Sequence, residues 1–415
     1  MSKKGTTYQP AVLMAVVLFL ALLPSFSLPA VLPLIEQDWG MRPSQSGTVM
    51  AFFQIGYILT AIIALPLTDR VDARRIVLCG AVLTVASHVL FPLVAKDPFI
   101  ASVLRGLAGA GIGCIYMPGL RIVSRIDTLR GRAVGFYVSS YLLGTAFSFL
   151  VTGILVSFST WQQSCLIIAL LSGLSVPAAV YLVTRVSDTG EPPRRHKSPS
   201  KPGSRLGWRV LFRQNLPVII MISVYVVHMW EFYGMRSWIS PFLAHVLGEG
   251  SGAATSLAAT ITSFLIMLSA SATALAGSLS DRYGRLLTAS LIMLTSTVCS
   301  FTFGWLFGSP LWIIIIIGAV YSIMVVADTP IVSTGITELS DPERLGRIMA
   351  WQTFLGYTAA SISPVTFGLI LEHSQPNVAW GLAFSSLGLV AILGPLLLLL
   401  LARLPEKAFL CHGKG

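Results

Sequence analysis

Gly277-Ser278-Leu279-Ser280-Asp281-Arg282-Tyr283-Gly284-Arg285 is a short charged segment set between two long apolar runs. An earlier segment, Leu65-Pro66-Leu67-Thr68-Asp69-Arg70-Val71-Asp72-Ala73-Arg74, repeats its charges, with Asp69 lying 212 positions before Asp281. The same shift of 212 carries Pro29 to Pro241 and Pro118 to Pro330. Farther along, Gly131-Arg132, Ser148 and Gly153 match Gly346-Arg347, Ser363 and Gly368 at a shift of 215. Several landmarks held at almost one offset mark an internal repeat. The chain is a duplicated unit.

The material between these landmarks is apolar. Hydrophobic residues make up 54% of the chain and charged residues only 11%, with a mean hydropathy of +0.79. Soluble chains carry about 25% charged residues, so this is an integral membrane protein. Twelve spans are expected, at 10–34, 45–68, 75–95, 98–120, 132–156, 162–184, 214–240, 254–280, 286–307, 310–333, 347–371 and 378–402. Runs this uniformly apolar lack the alternation of a barrel strand, and open sheet edges cannot face lipid. The fold class is therefore all-α, with two pseudo-symmetric bundles of six helices.

The net charge of +11 is a topology signal rather than a nucleic-acid footprint. If the N-terminus is cytoplasmic, 24 of the 28 Lys and Arg residues fall on the cytoplasmic side. That bias predicts a multi-pass cell-membrane protein with both termini cytoplasmic and anionic lipid headgroups as neighbours. Domains follow: an N-terminal bundle at 1–184, a basic linker at 185–213, a C-terminal bundle at 214–405 and a tail at 406–415. The linker contains Pro192, Pro193, Pro199 and Pro202 among its basic residues and is expected to be exposed. Lys3 and Lys4 precede a first apolar run that is too long for a signal-peptide core and reads as a retained span. The five cysteines show no metal spacing and no disulfide pattern. Six of nine tryptophans, including Trp238, sit at the proposed outer span ends, as interfacial anchors do; for Trp238 a substrate contact is the alternative.

The twelve spans, the long central loop and the duplicated loop motif together resemble the major facilitator superfamily of secondary transporters. Gly277, Asp281, Arg282, Gly284 and Arg285 fit its G-x-x-x-D-R-x-G-R motif; the first copy keeps Asp69, Arg70 and Arg74 but has Leu65, Asp72 and Ala73 where Gly, Gly and Arg are usual. Arg105-Gly-Leu-Ala-Gly109-Ala-Gly111 resembles the family's R-x-x-x-G-x-G motif in the fourth span. Gly135 and Gly144 sit at the spacing of its antiporter motif, but Ser148-Phe149 stands where Gly-Pro is usual. The resemblance implies two bundles rocking about a central site by alternating access. It also implies a gating role for the loop motifs, with Asp69 at the start of the eleventh span and Asp281 at the start of the fifth. A helix N-terminus attracts such a carboxylate.

A charge at bilayer depth costs at least ~2.5–3.5 kcal/mol, so an intramembrane ionisable group is a candidate site. His228-Met-Trp-Glu231-Phe-Tyr-Gly-Met-Arg236 places three in the seventh span. His228 and Glu231 are three apart and share a helix side. Glu231 is the first candidate for proton coupling and His228 the second titratable one; a Glu231–Arg236 ion pair that only fixes packing is the alternative. Gly234 would permit a local break. Arg105 offers positive charge to the cavity, modulates a nearby proton site, or pairs with backbone carbonyls. Asp328, two residues before Pro330, is a second proton site, an inner-gate partner for an arginine such as Arg121, or a local cap. His88 reads as a satisfied interhelical histidine.

No HExxH and no GxxxxGK[ST] motif is present, so neither a metal pair of that kind nor ATP-driven transport by this chain is expected. No enzymatic activity, cofactor, metal or nucleic-acid partner is expected. The favoured function is a proton-coupled carrier of a small anionic solute, acting as a monomer. The alternatives are a proton-driven exporter of amphipathic or cationic compounds using an aromatic cavity (Phe52, Phe53, Trp230, Phe232), and a non-transporting sensor or scaffold.

Overall fold

The computed structural model describes residues 9–68, 70–124, 130–185, 208–248, 250–341, 344–406 and 409–410. These residues form sixteen α-helices and no strand. The N-terminal half contains α1 (Gln9–Leu22), α2 (Ser27–Trp39), α3 (Pro43–Leu67), α4 (Ala73–Val94), α5 (Pro98–Ser124), α6 (Arg130–Val156), α7 (Trp161–Ser172) and α8 (Ser175–Arg185). The C-terminal half contains α9 (Trp208–Gly248), α10 (Gly252–Tyr283), α11 (Arg285–Phe303), α12 (Leu311–Ala327), α13 (Thr329–Leu339), α14 (Leu345–His373), α15 (Ala379–Ala391) and α16 (Leu393–Leu401). Collinear pairs such as α1 with α2 and α12 with α13 make single spans, giving twelve long enough to cross a membrane. Most of the expected linker, 186–207, and Asp69 lie outside the described residues.

Two of the breaks have chemical causes. Between α1 and α2, Pro24 cannot donate a helical hydrogen bond, and the freed Phe26 N–H donates to Ser148 Oγ at 3.0 Å. Ser148 is the residue that stands at the usual glycine of the antiporter motif's Gly-Pro, and in this chain it caps a neighbour's break. Between α12 and α13 the irregular backbone falls at Asp328, with Pro330 in the first turn beyond it. That is where the proline placed it.

The two loop motifs turn by different means. Gly284 has φ 96°, a conformation that favours glycine, and joins α10 to α11. Its counterpart Asp72 keeps an ordinary φ of −54° and caps α4 by accepting from the Arg74 N–H at 2.9 Å. The departure from the family pattern is thus compensated by an N-cap. Arg74 also donates to Asp72 at 2.6 Å, and that hydrogen bond holds the Asp72 carboxyl below its ordinary range.

The halves meet most closely at the end opposite Gln9 and Leu410, called distal below. There α3 crosses α14 with no room for side chains: a Cβ on Gly47 would strike the Pro364 carbonyl, and one on Gly368 the Pro43 carbonyl. On the other side of the molecule α6 meets α10, where a Cβ on Gly153 would lie 3.0 Å from Ser256 O. Arg42 pairs with Glu372 at 3.3 Å over the α3–α14 seam. At mid-depth, Tyr57 stacks on Tyr357 at 4.4 Å between ring centres, and the Tyr141 and Tyr233 hydroxyls approach to 3.4 Å. Toward the proximal end, where Gln9 and Leu410 lie, Gly135, Gly277 and Gly346 face open space.

Trp238 is not an interfacial anchor. It is 1% exposed, stacks on Phe367 at 5.2 Å and donates Nε1–H to Pro364 O at 3.1 Å. Its indole closes the C-terminal half onto the α14 segment that Gly47 touches.

Candidate functional site

The stretch 228–236 lies inside α9, which runs unbroken through Gly234. Gly234 serves close packing instead of a hinge: a Cβ there would meet the Ser363 hydroxyl and lie 2.5 Å from Leu387. His228, Glu231 and Arg236 are therefore carried by one rigid element, at 3%, 2% and 3% exposure.

Arg236 reaches across the boundary between halves. Its Nη2 donates to Thr145 Oγ1 of α6 at 2.8 Å. The guanidinium lies 5.6 Å from the Phe26 ring centre at the α1–α2 break and 5.3 Å from that of Phe232. Its Nε–H has no acceptor, and no carboxylate among the described residues pairs with it. The Glu231–Arg236 ion pair is not formed.

Glu231 turns into the C-terminal half. Its carboxylate accepts from Ser296 Oγ at 3.0 Å and Ser300 Oγ at 2.6 Å, both on α11, and Ser300 also lies 2.6 Å from the Tyr321 hydroxyl of α12. His228 faces the other break. Its Nδ1 lies 2.8 Å from Asp328 Oδ1, an ion-pair distance without the alignment of a hydrogen bond, and its Nε2 is 3.2 Å from Thr329 Oγ1. The ring stacks on Phe232 at 5.8 Å. Asp328 thus faces His228; it makes no side-chain cap to α13, and Arg121 bonds to Thr68.

Arg105 does not join this group. Its Nη1 donates to Ser25 O at 2.9 Å and its guanidinium lies 4.6 Å from the Phe53 ring centre, inside the N-terminal half. The carbonyl-paired alternative describes it better than a cavity charge. His88, near it on α4, donates Nδ1–H to Thr84 O at 2.8 Å.

The gating residues separate as well. Arg285 grips Glu338 of α13 through two bonds of 2.7 Å and pairs with Asp281 at 3.2 Å, bracing the C-terminal half internally. Arg282 lies beside the Tyr283 ring, and Arg70 is exposed. Residues 125–129, before the fifth span where Asp281 was expected to dock, lie outside the described residues. Reading the sequence missed Ser296, Ser300, Tyr321, Thr145 and Glu338. One signal pointed to the first two: the shift of 212 carries Thr84 to Ser296 and His88 to Ser300, marking a polar pair on one helix of each half.

Two six-helix halves closing on buried charges define a polytopic membrane carrier. The sequence matches the Major Facilitator Superfamily over residues 14–327 and 232–410. The chain belongs to that family, one of transporters rather than enzymes. It is 25% identical over 233 residues to the "Probable anion transporter 4, chloroplastic" of Oryza sativa subsp. japonica, covering 52% of this chain. It is 27% identical over 176 residues to the 4-hydroxybenzoate transporter PcaK of Pseudomonas aeruginosa, covering 42% of this chain. Each match takes in 38% of the relative's own length. The crystal structure of a bacterial homolog to the human lysosomal transporter Spinster, inward-facing and occupied, superposes with a TM-score of 0.76 at 15% identity. It covers 95% of this chain and 96% of that one, and shows the fold alone.

Proposed function

We propose that this transporter is a proton-coupled carrier of a small organic anion, working by alternating access in the cell membrane, with both termini cytoplasmic. The observation that carries the reading is Arg236: a buried guanidinium at the boundary, held by one neutral hydroxyl and two aromatic faces, with no carboxylate of the described residues against it. A buried cation without an acidic partner is costly. It becomes favourable when a carboxylate or similar anion supplies the missing charge and takes the free Nε–H. When the halves part, Arg236 loses Thr145 and Phe26, and a bound anion replaces them. The names of two relatives, an anion transporter and a 4-hydroxybenzoate transporter, support this class of solute.

Glu231 is the proposed proton carrier. It lies five residues before Arg236 on the same helix, and its hydrogen-bond partners among the described residues are hydroxyls, which can bond either its charged or its neutral form. His228 with Asp328 forms a second titratable unit at the α12–α13 break. Reconstituted protein tests the assignment: counterflow of a panel of anions, 4-hydroxybenzoate included, against cations, with internal pH followed by a dye. The expected result is anion exchange in wild type and in Glu231→Gln, with proton-driven accumulation lost in the variant. Accumulation intact in Glu231→Gln removes it as the coupling residue; exchange of cations only removes the anion reading.

A further inference from the structure

The relation between the halves extends to their polar interiors. In the C-terminal half, Ser296 and Ser300 converge on a carboxylate, that of Glu231. Their counterparts at the shift of 212 are Thr84 and His88, whereas Glu231 itself falls on Phe19. The N-terminal half therefore has the polar pair without the carboxylate. A cation stands there in its place: Arg105, 5% exposed and bonded only to the Ser25 carbonyl among the described residues.

Three polar atoms in this region are buried without a hydrogen-bond partner: Arg105 Nε, His88 Nε2 and Ser25 Oγ. They come from the α1–α2 break, α4 and α5. Buried polar groups are almost always satisfied, and a cluster of orphans marks a bound water or ion. A neutral water would satisfy some of the donors but leave the guanidinium charge uncompensated in the interior. A small anion answers both needs.

We propose that the core of the N-terminal half binds one monovalent inorganic anion of chloride size, between Arg105, His88 and Ser25, apart from the transported solute. The site is the positional equivalent of the Glu231 pocket, with a free ion where the other half has a covalently attached carboxylate. The ion would act as a structural counter-charge, locking α4 and α5 to the break in the first span. The imidazole adds a condition. His88 Nδ1 donates to Thr84 O, so the neutral ring presents a lone pair at Nε2. Anion binding recruits a solvent proton to Nε2, and affinity falls as pH rises. The groups facing His88 are Arg105 from α5 and, beyond it, Cys165 from α7.

The test measures thermal unfolding of the full chain in nanodiscs, titrating sodium chloride or bromide against gluconate at constant ionic strength, at pH 6 and pH 8. A saturable rise in the midpoint with chloride and bromide, at least tenfold weaker in half-saturation for His88→Phe and Arg105→Gln, and tighter at pH 6, is expected. Arg236→Gln should leave it in place. Bromide anomalous scattering in crystals should show a peak beside Arg105. No halide-specific shift in wild type, or one that survives in His88→Phe, overturns the proposal in favour of water. A shift lost in Arg236→Gln but kept in His88→Phe places the halide at the transport site and overturns it equally. Should Arg105→Gln fail to fold, His88→Phe and the bromide peak decide alone.

Discussion

Replacing Arg236 by Gln separates a binding role from a packing role. Among the described residues the side chain makes one hydrogen bond, to Thr145 at 2.8 Å, and lies over two rings at 5.3 and 5.6 Å. A hydrogen bond to a charged group is worth about 1.5–3 kcal/mol, and a desolvated cation–ring contact up to about 2 kcal/mol. Against these stands the effective cost of burying the charge, several kcal/mol. The terms offset, so without solute Gln should change stability by no more than about 1 kcal/mol in either direction. With solute the offset disappears: losing a charge-assisted bond to a carboxylate at a dry site removes about 2–3 kcal/mol, or about 30- to 150-fold in affinity. The assay pairs thermal unfolding in nanodiscs with solute-dependent stabilisation and counterflow on the same preparation. Arg236→Lys should recover part of the affinity, since it restores charge without the planar fork. Loss of more than about 3 kcal/mol of stability with unchanged solute affinity would refute the reasoning, because that is the cost of breaking a structural partner.

Gly47→Val tests the distal seam. The added side chain would meet the Pro364 carbonyl and lie within 2.9 Å of Val365 Cα, and backbone cannot yield as a flexible side chain would. Distal closure should fail, transport should drop, and a cysteine introduced at Ser44 should become more reactive to a bulky maleimide; unchanged transport and labelling would dismiss the contact as a gate. At the proximal end, Asp72→Ala removes an N-cap and should cost about 1 kcal/mol near neutral pH. Because the Arg74 hydrogen bond holds the folded Asp72 carboxyl below its ordinary value, its contribution is complete above the unfolded carboxylate range, near 4, and fades as pH falls through the lower folded value. A wild-type-minus-variant difference that does not shrink below about pH 4 contradicts this account.

The duplication and the twelve spans were legible because they rest on period, length and composition, which the bilayer enforces along the whole chain. Side-chain direction was not. Arg105 and Arg236 looked alike as lone arginines in apolar runs, yet one bonds the Ser25 carbonyl within its half and the other reaches Thr145 across the boundary. Only the packing of α1, α5 and α6 distinguishes them. Ser296 and Ser300 were hidden for another reason: serine is small enough to pass as a helix-packing residue, and its role depends on Glu231 arriving from a helix 65 and 69 positions away. Gly234 misled because glycine suits both a hinge and a close contact, and the nearness of Ser363 and Leu387 decided for contact.

The unbroken α9 bears directly on coupling. Glu231 and Arg236 are five residues apart, about 7.5 Å along the axis of a helix that does not hinge between them. On the proposed assignment, a charged Glu231 repels an anion held at Arg236. Five residues turn the helix by about 140°, so the two side chains leave different faces and their charges lie farther apart than the axial rise. At an effective dielectric constant of about 20 the repulsion is below about 2 kcal/mol, or less than about 40-fold in affinity. Protonating Glu231 removes it, so the proton and the anion each favour the other's binding. Reciprocity of this kind needs no relay of moving side chains, because the field acts through a fixed separation. On that assignment proton and anion would travel together, as in symport. A hinge at Gly234 would have let that separation vary through the cycle. Close packing against Ser363 and Leu387 holds it constant, and this gives the packing glycine a place in the coupling it had first seemed to serve as a joint.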